Sequence, residues 1–183
     1  SPFLLEGLMK VIGVAGWSGA GKTTLLTRLI PHLTGQGLKV STIKHAHHAF
    51  DVDVPGKDSY RHREAGATEV LVSSQNRFAL MHELRGAQEP SLLELLGKLS
   101  PVDLVIIEGF KFDPHPKIEV HRLANEKPLL HPQDKYIVAL ASDAVMDVAV
   151  PLVHLDDIPA IATLMLDKAA SLDALRATLT AGV

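Results

Sequence analysis

Two adjoining stretches decide the fold of this chain: Lys10-Val11-Ile12-Gly13-Val14-Ala15, then Gly16-Trp17-Ser18-Gly19-Ala20-Gly21-Lys22-Thr23. The first is short, apolar and rich in β-branched residues, as a buried strand requires. The second matches G-x-x-x-x-G-K-[ST] at every fixed position. Glycines there let backbone N–H groups turn inward and cradle phosphate oxygens, which side chains would obstruct. A helix beginning at Lys22 would point its positive end at the same anion. Lys22 is expected to reach the β- and γ-phosphates, and the Thr23 hydroxyl to ligate Mg2+. Composition alone yields such a match in about one chain in 150 of this length. Here the match also sits between a predicted strand and a predicted helix, as the mechanism demands.

Outward from this point, strand-like and helix-like segments alternate. That pattern predicts an α/β fold, a P-loop NTPase with a largely parallel sheet flanked by helices. A helix is predicted from Lys22 to about Leu33, stopped by Gly35 and Gly37, and a strand from Leu38 to Lys44. The polar stretch from His45 to Lys57 reads as loop. A short helix follows over Ser59–Ala65. Two strand-like runs, Glu69–Ser73 and Arg77–His82, flank Ser74-Gln75-Asn76 and predict an added β-hairpin. Ser91 and Glu94 have capping-box spacing ahead of a leucine-rich helix face. Val102–Glu108, Lys117–His121 and Tyr136–Ala141 read as further strands, and Asp156–Leu166 and Ser171–Leu179 as closing helices. Residues 9–183 are expected to form a single domain. Residues 1–8 are expected to be a remnant or N-terminal extension ahead of a natural start at Met9.

The composition narrows the function. The 183 residues are 46% hydrophobic, enough to bury a core, with net charge −3 and a pI near 6.3. No basic excess is available to neutralise nucleic-acid phosphates, so no nucleic-acid partner is expected. The absence of cysteine excludes disulfide scaffolds and thiolate metal sites and fits a cytoplasmic location. No apolar run of about 18 residues suggests a membrane span.

A nucleoside-triphosphate site usually takes a second acidic group from a neighbouring buried strand. Within Val102–Gly109, Asp103 lies at the strand's start, the wrong end for a ligand bound beyond the carboxyl ends of the strands. Glu108, at the far end and followed by Gly109, is therefore the expected Mg2+-binding or water-positioning acid. With Lys22 it makes up the expected catalytic pair. The loop Asp51–Ser59 is expected near the γ-phosphate, with Asp53 holding Mg2+ directly or through water. His45, His47 and His48 are of a type that binds transition metals, but as adjacent loop histidines they also read as polar surface or substrate contacts. Trp17 either stacks on a partner or covers the loop.

GWSGAGKTT, VSTIKHAHH, DVDVPGKDSYRHREAGA and LVIIEGFK together resemble the MobB family, the molybdopterin-guanine dinucleotide biosynthesis adapter proteins. The resemblance runs from about Met9 to Leu155, and the D-x-D-x-P-G-K-D-S-x-R segment joined to E-G-F-K is its most specific part. It implies a GTP-binding homodimer with at most weak GTPase activity. Such a protein assists a molybdenum cofactor guanylyltransferase, with molybdopterin as a further ligand. By position, Gly16–Thr24, including Thr24, would bind the nucleotide phosphates. Thr23, Asp53 and Glu108 would surround Mg2+, and Lys44 or Arg61 would meet phosphates or the pterin. The N-K-x-D box of many GTPases is absent; Asp143 would either read guanine N1–H and N2–H or cap a turn. Two further readings stay open: a small P-loop kinase acting on a metabolite, and a metal-delivery GTPase using His45–His48.

Overall fold

The computed structural model describes residues 8–46 and 49–181. They fall into two compact units, one built from the residues up to His45 together with those from Leu92 on, the other from Ala46–Ser91.

The larger unit holds a seven-stranded sheet. Its strands are β1 (Lys10–Ala15), β2 (Val40–Lys44), β5 (Leu104–Glu108), β6 (Lys117–His121), β7 (Ile137–Ser142), β8 (Leu152–His154) and β9 (Ala170–Ser171). The order is β2-β5-β1-β6-β7-β8, and every neighbouring pair along it is parallel. β9 pairs antiparallel with Lys10 and Val11, where β6 does not yet run beside β1. The expected parallel α/β architecture is therefore present. β8 and β9 were not anticipated, because three- and two-residue strands carry too little alternation to stand out.

Both faces of the sheet are covered, which is why the central strands read as continuous apolar runs. On one face Ile12, Val14 and Ile106 pack with Leu25, Leu29 and Leu33 of helix α1 (Lys22–Gly35) and with Ile161 and Met165 of α4 (Ile158–Lys168). On the other, Val11, Val105 and Ile107 meet Leu92 and Leu96 of α3 (Leu92–Leu96) and Leu172 and Leu175 of α5 (Leu172–Thr180). Asp103 accepts a hydrogen bond from Lys39 N (2.7 Å) and so fixes the start of β2. It lies at the end of β5 away from the glycine-rich loop, as expected for a residue outside the site.

The smaller unit holds α2 (Asp58–Glu64) and the hairpin of β3 (Glu69–Ser73) with β4 (Phe78–His82), paired antiparallel. Its polar centre is Arg63. The guanidinium donates to Asp51 (2.8 Å), Asp53 (3.1 Å) and Glu83 (2.8 Å), and together they hold its pKa above the ordinary arginine value.

Candidate functional site

β1 is the centre of the sheet, and its carboxyl end feeds directly into Gly16–Gly21. The loop turns through three left-handed glycines, of which two are structurally forced. At Gly16 (φ 149°) a Cβ would stand 2.7 Å from the Val120 carbonyl oxygen, and Gly21 (φ 92°) is the N-cap of α1. No side chain caps that helix end, and no acidic residue occupies its first turn. The first-turn N–H groups are thus left to an external acceptor, and the local charge favours an anion.

Lys22 Nζ donates to the carbonyl oxygens of Gly16 (2.6 Å) and Trp17 (3.4 Å), so the ammonium lies over the loop it belongs to. Burial lowers its pKa; Glu108 opposes that effect, while Lys44 and Lys111 add to it. Next to it Thr23 Oγ1 and Glu108 Oε1 are 3.4 Å apart. Glu108 ends β5, in register with Val14 of β1 on one side and Lys44 of β2 on the other. The expected lysine, hydroxyl and carboxylate are therefore brought together. A hydroxyl and a carboxylate are the hard oxygen donors that suit Mg2+.

Trp17, Ser18, Gly19, Gly21–Thr24, Lys44 and Glu108 line an open depression of about 440 Å³. Beside it an apolar cleft of about 210 Å³ opens between α1 and the edge strand β2, lined by Leu26, Ile30, Thr42 and Ile106. The two share Thr23, Lys44 and Glu108. Within the loop Ala20 is buried, and Thr24 lies on the wall of the depression.

The other expected residues are placed as follows. Asp143 is exposed, and its Oδ1 accepts from Leu123 N (2.9 Å), the turn-capping alternative raised by its sequence context. Asp53 belongs to the smaller unit, where Ser59 Oγ (2.6 Å) and Arg63 Nε (3.1 Å) donate to its carboxylate. Arg61 lies on α2 of that unit. The ring of His45 packs against Phe110, at 4.8 Å between centroids. His47 and His48 lie outside the described residues. Among the described residues no three His, Cys, Asp or Glu side chains gather as a metal site.

Sequence reading missed the segment that braces the loop. After β6 the chain makes a 3-10 turn (Leu123–Asn125) and runs across Gly16–Gly21. Arg122 Nε donates to Ala20 O (3.1 Å), Asn125 Nδ2 to Ser18 O (3.2 Å), and the Trp17 indole N–H to Pro128 O (2.9 Å). Lys127 Nζ lies over the Trp17 ring, 5.5 Å from its centroid. Trp17 is thus tied to the bracing segment. These partners lie 102 to 111 residues away in sequence, and no local signal links them to the glycine-rich motif.

Residues 11–143 match the family described as molybdopterin guanine dinucleotide synthesis protein B, MobB. The molybdopterin-guanine dinucleotide biosynthesis adapter protein of Escherichia coli (strain K12) is 40% identical over 163 residues, 87% of this chain and 93% of that protein. The adapter protein of the same name from Haemophilus influenzae is 42% identical over 162 residues, 86% of this chain and 88% of its own. A crystal structure of molybdopterin-guanine biosynthesis protein B superposes with a TM-score of 0.69 at 28% identity, covering 86% of this chain and 98% of the other. That of Bacillus subtilis MobB gives 0.69 at 25% identity, covering 88% and 99%.

Proposed function

The chain belongs to the MobB family of molybdopterin guanine dinucleotide synthesis proteins, and we propose that within that role it binds Mg2+–GTP at Gly16–Thr24. It acts as an adapter in molybdopterin guanine dinucleotide biosynthesis, assisting the guanylyltransferase of that pathway. One observation carries the nucleotide reading: an uncapped helix N-terminus, a lysine and a hydroxyl–carboxylate pair converge on one open depression. The loop amides and Lys22 bind the phosphates. Thr23 and Glu108 would hold Mg2+, and the metal when bound would offset phosphate charge. Asp143 remains the proposed guanine acceptor through its second carboxylate oxygen. Hydrolysis is slow in this proposal, because no arginine finger or water-positioning glutamine is identified. The protein works in the cytoplasm as a homodimer with molybdopterin as a further ligand, and residues 9–183 act as one functional domain.

Calorimetric titration of GTP and ATP with Mg2+ against the wild type and Lys22→Ala tests this. GTP preferred by about tenfold or more (about 1.4 kcal/mol) and lost in the variant is the expected result. Equal or better ATP binding overturns the GTP assignment. It would favour a small P-loop kinase acting on a metabolite.

A further inference from the structure

A phosphate-binding loop works only if its carbonyl oxygens point away from the anion while its amides point toward it. In this chain the carbonyls are held from outside by side chains. Lys22 takes those of Gly16 and Trp17, Asn125 that of Ser18, and Arg122 that of Ala20. The same side chains stand close over the glycines, whose positive φ (84° at Gly19, 92° at Gly21) already disfavours any side chain. A Cβ on Gly19 would be 3.2 Å from Asn125 Oδ1, and one on Gly21 would be 2.9 Å from Arg122 Nε. Lys22, with three N–H donors, is shared between the loop carbonyls and an incoming phosphate. Arg122 and Asn125 face outward-turned carbonyls and can stay in place.

The bracing segment is itself anchored in the sheet. Glu119, buried on β6, accepts from the backbone N–H groups of Leu130 and His131, both at 2.8 Å. Asp143 holds Leu123 N, and buried Lys117 donates to Asp134 (3.2 Å) where the segment rejoins β7. A buried carboxylate and a buried ammonium are costly unless each is fully partnered, so these contacts specify the path of the segment closely.

We propose that Arg122 and Asn125 are positioning residues for phosphate binding, setting the loop in its anion-ready conformation before ligand arrives. The inference rests on the phosphate-binding reading of Gly16–Thr24 but not on which base is recognised. The probe is therefore inorganic tripolyphosphate with Mg2+, titrated calorimetrically against the wild type, Arg122→Ala, Asn125→Ala and Asn125→Asp. Each alanine variant is expected to bind about three- to tenfold more weakly, the effect of one lost hydrogen bond. Asn125→Asp is expected to bind more weakly than Asn125→Ala, because a carboxylate would face the Ser18 carbonyl. Asn125 is partly exposed, so its variants should melt within a degree or two of the wild type. Amide hydrogen exchange of Ala20, whose N–H donates to Trp17 O (3.1 Å), should speed up in the unliganded variants, a change that a purely distant packing role would not produce. Wild-type affinity and wild-type exchange in folded Asn125 variants would overturn the inference. A wild type that binds no tripolyphosphate would remove the phosphate-binding reading itself, and this inference with it.

Discussion

The Thr23 hydroxyl and the Glu108 carboxylate, 85 residues apart in the chain, stand 3.4 Å from each other at the end of the sheet. Neighbouring parallel strands create that proximity: β1 delivers the loop and the helix carrying Thr23, and β5 ends on Glu108 beside it. Thr23→Val and Glu108→Gln should each abolish most of the Mg2+-dependent gain in GTP affinity. Each is expected to cost about 1.5–3 kcal/mol, roughly ten- to a hundredfold. Titrating GTP with and without Mg2+ checks this; an undiminished metal effect in both variants would count against the pair.

His115 is fully buried, neither ring nitrogen has a hydrogen-bond partner, and burial, helped by Lys117, pushes its pKa down to about 4. The unfolded chain protonates this histidine near pH 6.5, so between pH 6.5 and 4 it binds a proton that the folded chain does not. Stability should therefore fall by about 3 kcal/mol as pH drops through that window. Urea unfolding at pH 7 and pH 4.5 checks this, and His115→Leu should flatten the dependence.

Gly13 is required by the same histidine. A Cβ there would be 2.6 Å from His115 Nε2. Gly13→Ala should cost about 1–3 kcal/mol through overpacking, and combining it with His115→Ala should recover part of that loss. Thermal melts of the two single variants and the double variant decide it; additive losses would show the two sites to be uncoupled.

Arg63 binds Asp51, Asp53 and Glu83 at once, with its side chain only 14% exposed. The Asp53 backbone N–H and, second to it, Arg63 hold the Asp51 pKa down, so Arg63→Ala should raise it part of the way while leaving three carboxylates without their shared cation. Limited proteolysis should cut the 49–58 segment faster in the variant than in the wild type. Equal cleavage rates would show that the cluster does not hold the loop.

On the hairpin, Leu71 and Leu80 are register partners on one face and are 61% and 51% exposed, next to Phe78 at 72%. A two-stranded sheet with such a face gains by covering it. If the hairpin takes part in the proposed homodimer, Leu80→Glu should shift sedimentation toward monomer at micromolar concentration. An unchanged profile would place the dimer contact elsewhere.

Much of the fold was legible in sequence because its signals are local. β1, β3, β6 and the start of α1 coincide with the expected segments, most other anticipated elements differ at their ends by a residue or two, and α3 stops at Leu96, short of the leucine face that extends to Leu99. Glycines, apolar runs and the G-K-T turn act through their immediate neighbours, so short windows suffice to read them. Glu108 was legible for a related reason: the end of a buried parallel strand is a place that topology predicts.

Local sequence carried the parallel α/β class, the glycine-rich loop ahead of α1 and the placing of Lys22 and Thr23 beside an acid from a neighbouring strand. Long-range packing is what sets Asp143 on the turn at Leu123, binds Asp53 to Ser59 and Arg63, and brings Arg122, Asn125 and Pro128 against the loop. These contacts join segments far apart in the chain or compete for one side chain. Their outcome depends on which strands become neighbours and where each connection crosses, a choice made by burying the whole sheet rather than by any short stretch of residues.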